Sequence, residues 1–512
     1  MEGGWMAGEE ISGPVVWLLS ALAALLITLF VWRMLMGRLS SSSLPCLPYL
    51  PLVGSLLSLQ GDLPPHLLFA SLGRKYGDLF ALYVGPHYTV VVNNFRHARE
   101  VLLQRGKEFA GRPKMVTTEL LSREGKDIAF ADYSPLWKSH RRLVHSSFAM
   151  FGEGTSKLQN IVCEEATKLC SALLATAGQP LDPGPVLMRA VTNVVCTLVF
   201  SSTYQPHDPE LKVVMDYNDG IVQTIARGGL VDIFPWLKIF PNKDLKRLKE
   251  CIRVRDDLLN RKLEEHKGSY RPEDTRDLLD ALLKGQHGSG DEASITDDHV
   301  LMTAAEAFGA GVETTSTTLL WVLAFLLHHP EVFIDMERVG YIPDGGDQAP
   351  GHSIGGNHIP KGTRVLINMW SIHHDPQQWE EPERFKPERF LDSEGHRSSP
   401  PYFLPFGAGP RVCVGESLAK LELFLFVSWL LQRFTFTLPP GASLPDLQGR
   451  FGVVLQPLRY TLAQLQLSAV AARSRLQCHS VLFRPQRKKP VWLRRLYGDD
   501  SFLSKMRRGG AT

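Results

Sequence analysis

The stretch Phe406-Gly407-Ala408-Gly409-Pro410-Arg411-Val412-Cys413-Val414-Gly415, followed at once by a helical pattern from Glu416, decides how the rest of the chain is read. Its glycines let the backbone pass close to a flat ligand and take turn conformations that a Cβ forbids. Cys413 precedes the helix directly, where the N-terminal dipole is expected to lower its pKa and favour the thiolate. Arg411, two residues away, supplies a cation for an anionic group on the same ligand. A haem needs an axial thiolate, amide donors around the sulfur and a cation for a propionate. Cys413 is therefore the expected metal ligand, with Phe406 and Arg411 beside it. A free cysteine in a glycine-rich turn is most often only a buried structural residue, but the specific string around Cys413 favours chemistry.

The chain has 512 residues, 44% of them hydrophobic and 21% charged, an ordinary globular composition that excludes a disordered or collagen-like polypeptide. The net charge of +3 comes from 56 Lys/Arg and 53 Asp/Glu and conceals an uneven distribution. Residues 473–512 hold eleven Lys/Arg against two Asp, so residues 1–472 carry −6. A basic tail on a mildly acidic body does not describe a nucleic-acid-binding domain. The tail reads as a solvated charge run, with contact to a membrane surface or acidic partner as the alternative. Seven cysteines without a CxxC or a metal-type Cys/His spacing read as reduced thiols.

Gly13–Trp32 is an uncharged run flanked by Trp17 and Trp32, with Glu2, Glu9 and Glu10 before it and Arg33 and Arg38 after it. A helix of that length spans about 30 Å, the thickness of a bilayer's hydrocarbon. The asymmetry of charge places the chain beyond Trp32 in the cytosol. The run is too long for the apolar region of a cleaved signal peptide and lacks the basic residues expected before one. Residues 33–54 form a linker, ending in a stiff hinge with Pro45, Pro48 and Pro51.

Within the body, Leu79–Val84 and Tyr88–Val92 around Gly85-Pro86 predict a β-hairpin. A proline-free helical run begins after Thr296, an N-cap followed by Asp297 and Asp298, and stops at Pro330. Glu416–Phe434 predicts another helix, and Phe451–Leu455 looks strand-like. The fold class is mainly α with a smaller β portion.

Over most of residues 55–472 the chain resembles the cytochrome P-450 family of haem-thiolate monooxygenases. The Cys413 string carries the resemblance first. Trp137-Lys138-Ser139-His140-Arg141 is similar to the family's W-x-x-x-R, and Arg112 lies in Gly111-Arg112-Pro113. Ala310-Gly311-Val312-Glu313-Thr314 is similar to A-G-x-[DE]-T. The resemblance implies a cytochrome P-450 fold behind one transmembrane helix, in the endoplasmic reticulum membrane with the catalytic domain cytosolic. It implies haem b held by Cys413, with Trp137, Arg141, Arg112 and Arg411 toward its propionates. Glu313 and Thr314 are then the catalytic acid and hydroxyl that relay protons.

Gly125–Asp132, Val231–Asn242, Phe308–Thr315 and Tyr402–Arg411 resemble a steroid-hydroxylating branch of the family. That branch implies oxygen insertion at C17 of a pregnane and, in a second cycle, cleavage of the C17–C20 bond. The implied substrate residues are Asn218 as donor to the steroid 3-oxygen, Arg255 behind it, Glu306 where the family has aspartate, and Phe130, Ala310 and Val453 along an apolar cavity. Implied partners are the steroid, NADPH-cytochrome P-450 reductase, cytochrome b5 and membrane lipid, with no nucleic acid.

Residues 331–352 depart from the family. They replace several helical segments, including the helix that carries E-x-x-R; Glu381-Pro382-Glu383-Arg384 matches those letters with a proline inside and is read as coincidence. Arg389 would normally pair with the missing helix, and a buried charge left alone costs about 3–5 kcal/mol. The departure raises the hypothesis that this chain binds haem poorly; the alternatives to an active hydroxylase are a haem-poor, non-catalytic variant and a related steroid hydroxylase of different specificity.

Overall fold

The computed structural model describes residues 13–39, 44–150, 157–205, 208–288, 295–330, 353–396 and 398–466. The departure at 331–352 and the basic tail at 473–512 lie outside them. The chain divides into two compact units, Met1–Phe109 with Asp347–Asp375 and Ala110–Gly346 with Pro376–Thr512.

In the first unit, helix α1 (Gly13–Leu39) runs past the uncharged segment, because Arg33–Leu39 is rich in good helix formers. The side chains of Val16–Val31 are almost all exposed, Trp17 to 78%. The hairpin forms as expected from β1 (Leu79–Val84) and β2 (His87–Val92), and β3 (Arg364–Ile367) adds in parallel with Thr89 opposite Arg364. Alternate side chains serve two buried layers. Leu79, Ala81, Val90 and Val92 pack with Leu44, Ile354 and Ile372; Phe80, Leu82 and Val91 pack with Leu47. Coverage on both faces explains why these strands read as unbroken apolar runs.

In the second unit the helices that bear on the site are α2 (Pro135–Ala149), α3 (Gly184–Phe200), α4 (Pro209–Arg227), α5 (Lys243–Ser269), α6 (Asp297–His328) and α7 (Glu416–Arg433). The 32 residues of α6 start after the expected N-cap Thr296, whose capping box is closed by His299. Apolar α3 lies close against it, so that a Cβ on Gly311 would stand 3.1 Å from Val195 Cγ2. Among the described residues α6 alone is long and apolar enough to cross a bilayer, and it is a mostly buried core helix; Val16–Val31 is a shorter apolar segment.

Two expectations are corrected. Phe451–Leu455 is not a strand. It is a turn closed by paired backbone hydrogen bonds between Arg450 and Gln456 (2.6 and 3.0 Å), and Pro457, which has no N–H, ends the pairing. The strand that pairs with β4 (Phe434–Thr437) is β5 (Ala463–Gln466). Arg389 is not an orphaned buried charge. It is half-buried beside the Trp379 ring and donates to the carbonyls of Lys386 (3.0 Å), Glu380 (2.9 Å), Glu381 (3.2 Å) and Arg384 (2.9 Å), which removes the expected penalty. Glu381 and Arg384 form a surface ion pair at 2.8 Å, in keeping with a chance match to E-x-x-R.

Candidate active site

Gly407 and Gly409, both at φ +73°, let the cysteine loop double back until the Cys413 amide donates to the Phe406 carbonyl at 3.0 Å. No atom lies within 4 Å of where a Gly407 Cβ would project, and a Cβ on Gly415 would stand 3.9 Å from Cys413 Sγ. Cys413 is exposed, although its thiol is partly shielded by the loop around it. Its thiol is pushed up, chiefly by burial; the Gly415 amide draws it down, Glu416 in the first turn of α7 raises it, and Arg141 lowers it. The helix end therefore does not dominate as the sequence predicts. Metal ligation would deprotonate the sulfur outright.

Three guanidinium groups and an indole gather beside this loop. Arg411 donates to the carbonyls of Ala110 (2.7 Å), Ile128 (2.9 Å) and Ala131 (2.8 Å). Arg112 donates to Ala129 (2.8 Å), Trp137 Nε1 to Ile128 (2.9 Å), and Arg141 to Val412. Arg411 also lies over the Trp137 ring, 4.1 Å from its centroid. Burial, and then repulsion by Arg112 and Arg141, lower the pKa of Arg411 to about 10. Burial lowers the other two arginines as well. Among the described residues none of the three forms an ion pair. A partly desolvated group of cations held by carbonyls alone is a receptor for anions, and with a nearby thiol and a glycine cradle the donor set fits a haem and its carboxylates.

Helix α6 reaches the same place. Its Glu306 accepts from the Ile128 and Ala129 amides at 2.8 Å each, on the loop whose carbonyls hold Arg411 and Arg112. One and two turns farther on, Ala310 and Thr314 are exposed although most of α6 is buried. The Thr314 hydroxyl donates to the Ala310 carbonyl at 2.7 Å. Glu313 is buried and accepts a hydrogen bond from Gln456 Nε2. Burial raises its pKa, while Gln456 lowers it, Asp219 raises it and Arg450 lowers it.

The predicted substrate residues are not all placed alike. Asn218 on α4 is buried, with its Oδ1 3.4 Å from where a Gly309 Cβ would stand. Phe130 is half-buried on the Glu306-bound loop, and Val453 is 53% exposed on the Arg450–Gln456 turn. Arg255 is spent on the Leu121 carbonyl (3.0 Å), Met302 Sδ (3.7 Å) and Asp256 (2.7 Å). The Glu306 carboxyl is spent on the loop backbone and Asp127. Each of these two groups is thus held by protein partners. Sequence reasoning missed Asp127 and Gln456. Asp127 carries the signal of an acid just before a tight turn, whereas nothing local marks Gln456.

A family model for cytochrome P450 matches residues 44–337 and 350–463. The chain belongs to the cytochrome P450 family. The match passes over 338–349, within the segment that departs from the family in sequence. The steroid 17-alpha-hydroxylase/17,20 lyase of Oryzias latipes is 48% identical over 92% of this chain and 98% of its own length. That of Squalus acanthias is 49% identical over 87% and 97%. A solved zebra fish cytochrome P450 with progesterone is 61% identical, at a TM-score of 0.70, over 79% of this chain and 100% of its own. As a cytochrome P450 the chain is a haem-thiolate monooxygenase.

Proposed function

We propose that the chain is a steroid 17-alpha-monooxygenase that inserts one oxygen atom from O2 at C17 of a pregnane, with 17,20-lyase cleavage as a second activity. The carrying observation is the similarity, near half identity and almost end to end, to relatives of that name. Haem bound through Cys413 supplies oxygen activation, with electrons from a flavoprotein reductase. The protein's own part is to hold and deliver. Arg112, Arg141, Arg411 and Trp137 would take the haem carboxylates, the guanidinium groups with N–H donors their carbonyl partners leave free. Thr314 and Glu313 would carry protons, the hydroxyl from the exposed face of α6 and the carboxyl by swinging off Gln456. Asn218 would meet the polar end of a flat, apolar substrate, and Phe130, Ala310 and Val453 would supply walls.

A membrane-bound form, anchored by α1 with the body on the cytosolic face, is supported by the charge asymmetry around that helix. Exposed Leu230, Trp236, Ile239 and Phe240, interleaved with Lys238, Lys243 and Lys246, support contact of the body with a lipid surface. NADPH-cytochrome P-450 reductase is the proposed electron donor and cytochrome b5 a further partner.

The test is incubation of the full chain in reductase-containing membranes with progesterone, with identification of the product. The expected product carries a 17α-hydroxyl, and Cys413→Ala abolishes it. Hydroxylation at another carbon would overturn the specificity. A haem-poor chain is the second reading, favoured by the unmatched 338–349 segment. A thiolate-type reduced-CO band from the purified wild-type chain excludes it.

A further inference from the structure

Residues 127–131 form a loop engaged along both edges. On one edge the amides of Ile128 and Ala129 donate to the two oxygens of Glu306, at 2.8 Å each, and those of Phe130 and Ala131 donate to Asp127 at 3.2 and 2.8 Å. On the other edge the carbonyls of Ile128, Ala129 and Ala131 accept from Arg411, Trp137 and Arg112. The Asp127 and Glu306 carboxyl groups are also neighbours, and the Asp127 charge helps to raise the pKa of Glu306.

Four consecutive amides gathered by two acids on one edge leave the carbonyls to gather the cations on the other. The acids thereby set where the cations stand, although neither touches a guanidinium group. We propose that Asp127 and Glu306 act as one positioning unit for the anion-binding group Arg112, Trp137 and Arg411. The inference rests on the haem site and is independent of which steroid is bound.

The geometry predicts a pH signature. Burial and the neighbouring acid raise the Glu306 carboxyl well above the usual carboxylate range, so it loses its proton at a higher pH than a free glutamate does. Arg112, Arg141 and Arg411 face the pair's loop or its charge, with Asp132 beside Arg411. All three arginines stay cationic through the neutral range. The nearby imidazoles do not titrate there either: His140 is pushed down to about 3 by burial, then by His299, and His299 is itself lowered by burial.

The experiment measures haem transfer from full-length holoenzyme to excess apomyoglobin, from neutral to alkaline pH, for wild type, Glu306→Ala, Glu306→Gln and Asp127→Asn. Glu306→Ala is expected to release haem about tenfold faster or more, because it strands the Ile128 and Ala129 amides. Glu306→Gln and Asp127→Asn should fall between it and wild type. Wild-type release should accelerate as the pair ionises, and Glu306→Gln, with no proton to lose there, should lack that acceleration. Purely structural loosening would raise the rates and leave the pH dependence in place. If Glu306→Ala does not fold, the wild-type and Glu306→Gln pH profiles decide, and a flat wild-type profile overturns the proposal. Normal haem loading with unchanged release in the folded variants overturns the positioning unit alone. A wild-type chain without haem overturns the site itself, and the inference with it.

Discussion

Two glutamates on α6 stand seven residues apart, close to two full turns, so that their side chains leave nearly the same face about 10 Å apart. Burial raises both above the ordinary carboxylate range. They differ in what holds them. Glu306 accepts two main-chain amides and bonds to Asp127, all on one short loop that is pinned again from its carbonyl side. Glu313 takes one bond from the side-chain amide of Gln456, whose own oxygen accepts from Arg450. Main-chain amides cannot swing away, whereas a glutamine amide can turn. The residue type, the helix and the electrostatic direction are shared, so the partner decides whether a carboxyl is held fast or left free to turn.

The largest expected difference is in stability. Glu306→Ala strands two amides, at about 1–3 kcal/mol for each buried group, and should lower the thermal midpoint of the holoenzyme by several degrees. Glu313→Ala leaves only the Gln456 amide, which can find water, and should lower it far less. Equal losses would break the comparison.

Turnover should reverse the order. Glu313→Gln removes a transferable proton while keeping the shape, and general acid catalysis is worth about 10²-fold or more. Product formation should fall by roughly that factor, with the reduced-CO spectrum intact and more reduced oxygen escaping as peroxide. The pH dependence fixes the sign. Because the Glu313 pKa is raised, the carboxyl keeps its proton to a higher pH than a free glutamate does, and wild-type turnover should decline as pH climbs through that pKa. Glu313→Gln should lack this alkaline limb, and a preserved limb would assign it to another group.

The two glutamates also mark what is legible from residue order alone. Cys413, the hairpin and the limits of α6 are legible because each depends on neighbours in the chain: glycines before a helix, alternating apolar residues around a turn, a Thr cap and a terminal Pro. Glu313 and Thr314 are legible as a string. Glu306 is legible as an acid near the site, but its partners lie some 180 residues away in a loop whose amides have no sequence signature. Arg389 fails in the opposite direction. Its expected partner is a remote carboxylate, and it finds four carbonyls within nine residues, an outcome that depends on how the 380–390 backbone folds rather than on any residue type. The turn at Phe451–Leu455 has the composition of a strand and, among the described residues, no partner strand to complete one.

The smallest effect is the sharpest probe of the hinged carboxyl. Gln456→Leu deletes the donor to Glu313 and leaves the backbone pairing with Arg450 that closes the Val453 turn. Of the two side-chain hydrogen bonds it removes, the one from exposed Arg450 counts for little and the one to Glu313 is worth about 1 kcal/mol, so stability should hardly move. If Gln456 parks Glu313, kcat and the fraction of reducing equivalents reaching product should change several-fold while KM for the steroid stays within about twofold, since 1 kcal/mol corresponds to about a fivefold ratio. If the glutamine instead serves the substrate wall through Val453, KM moves and kcat does not. The split between the two constants therefore tests the hinge directly, because a turn that merely shapes the cavity has no means of altering proton delivery to oxygen.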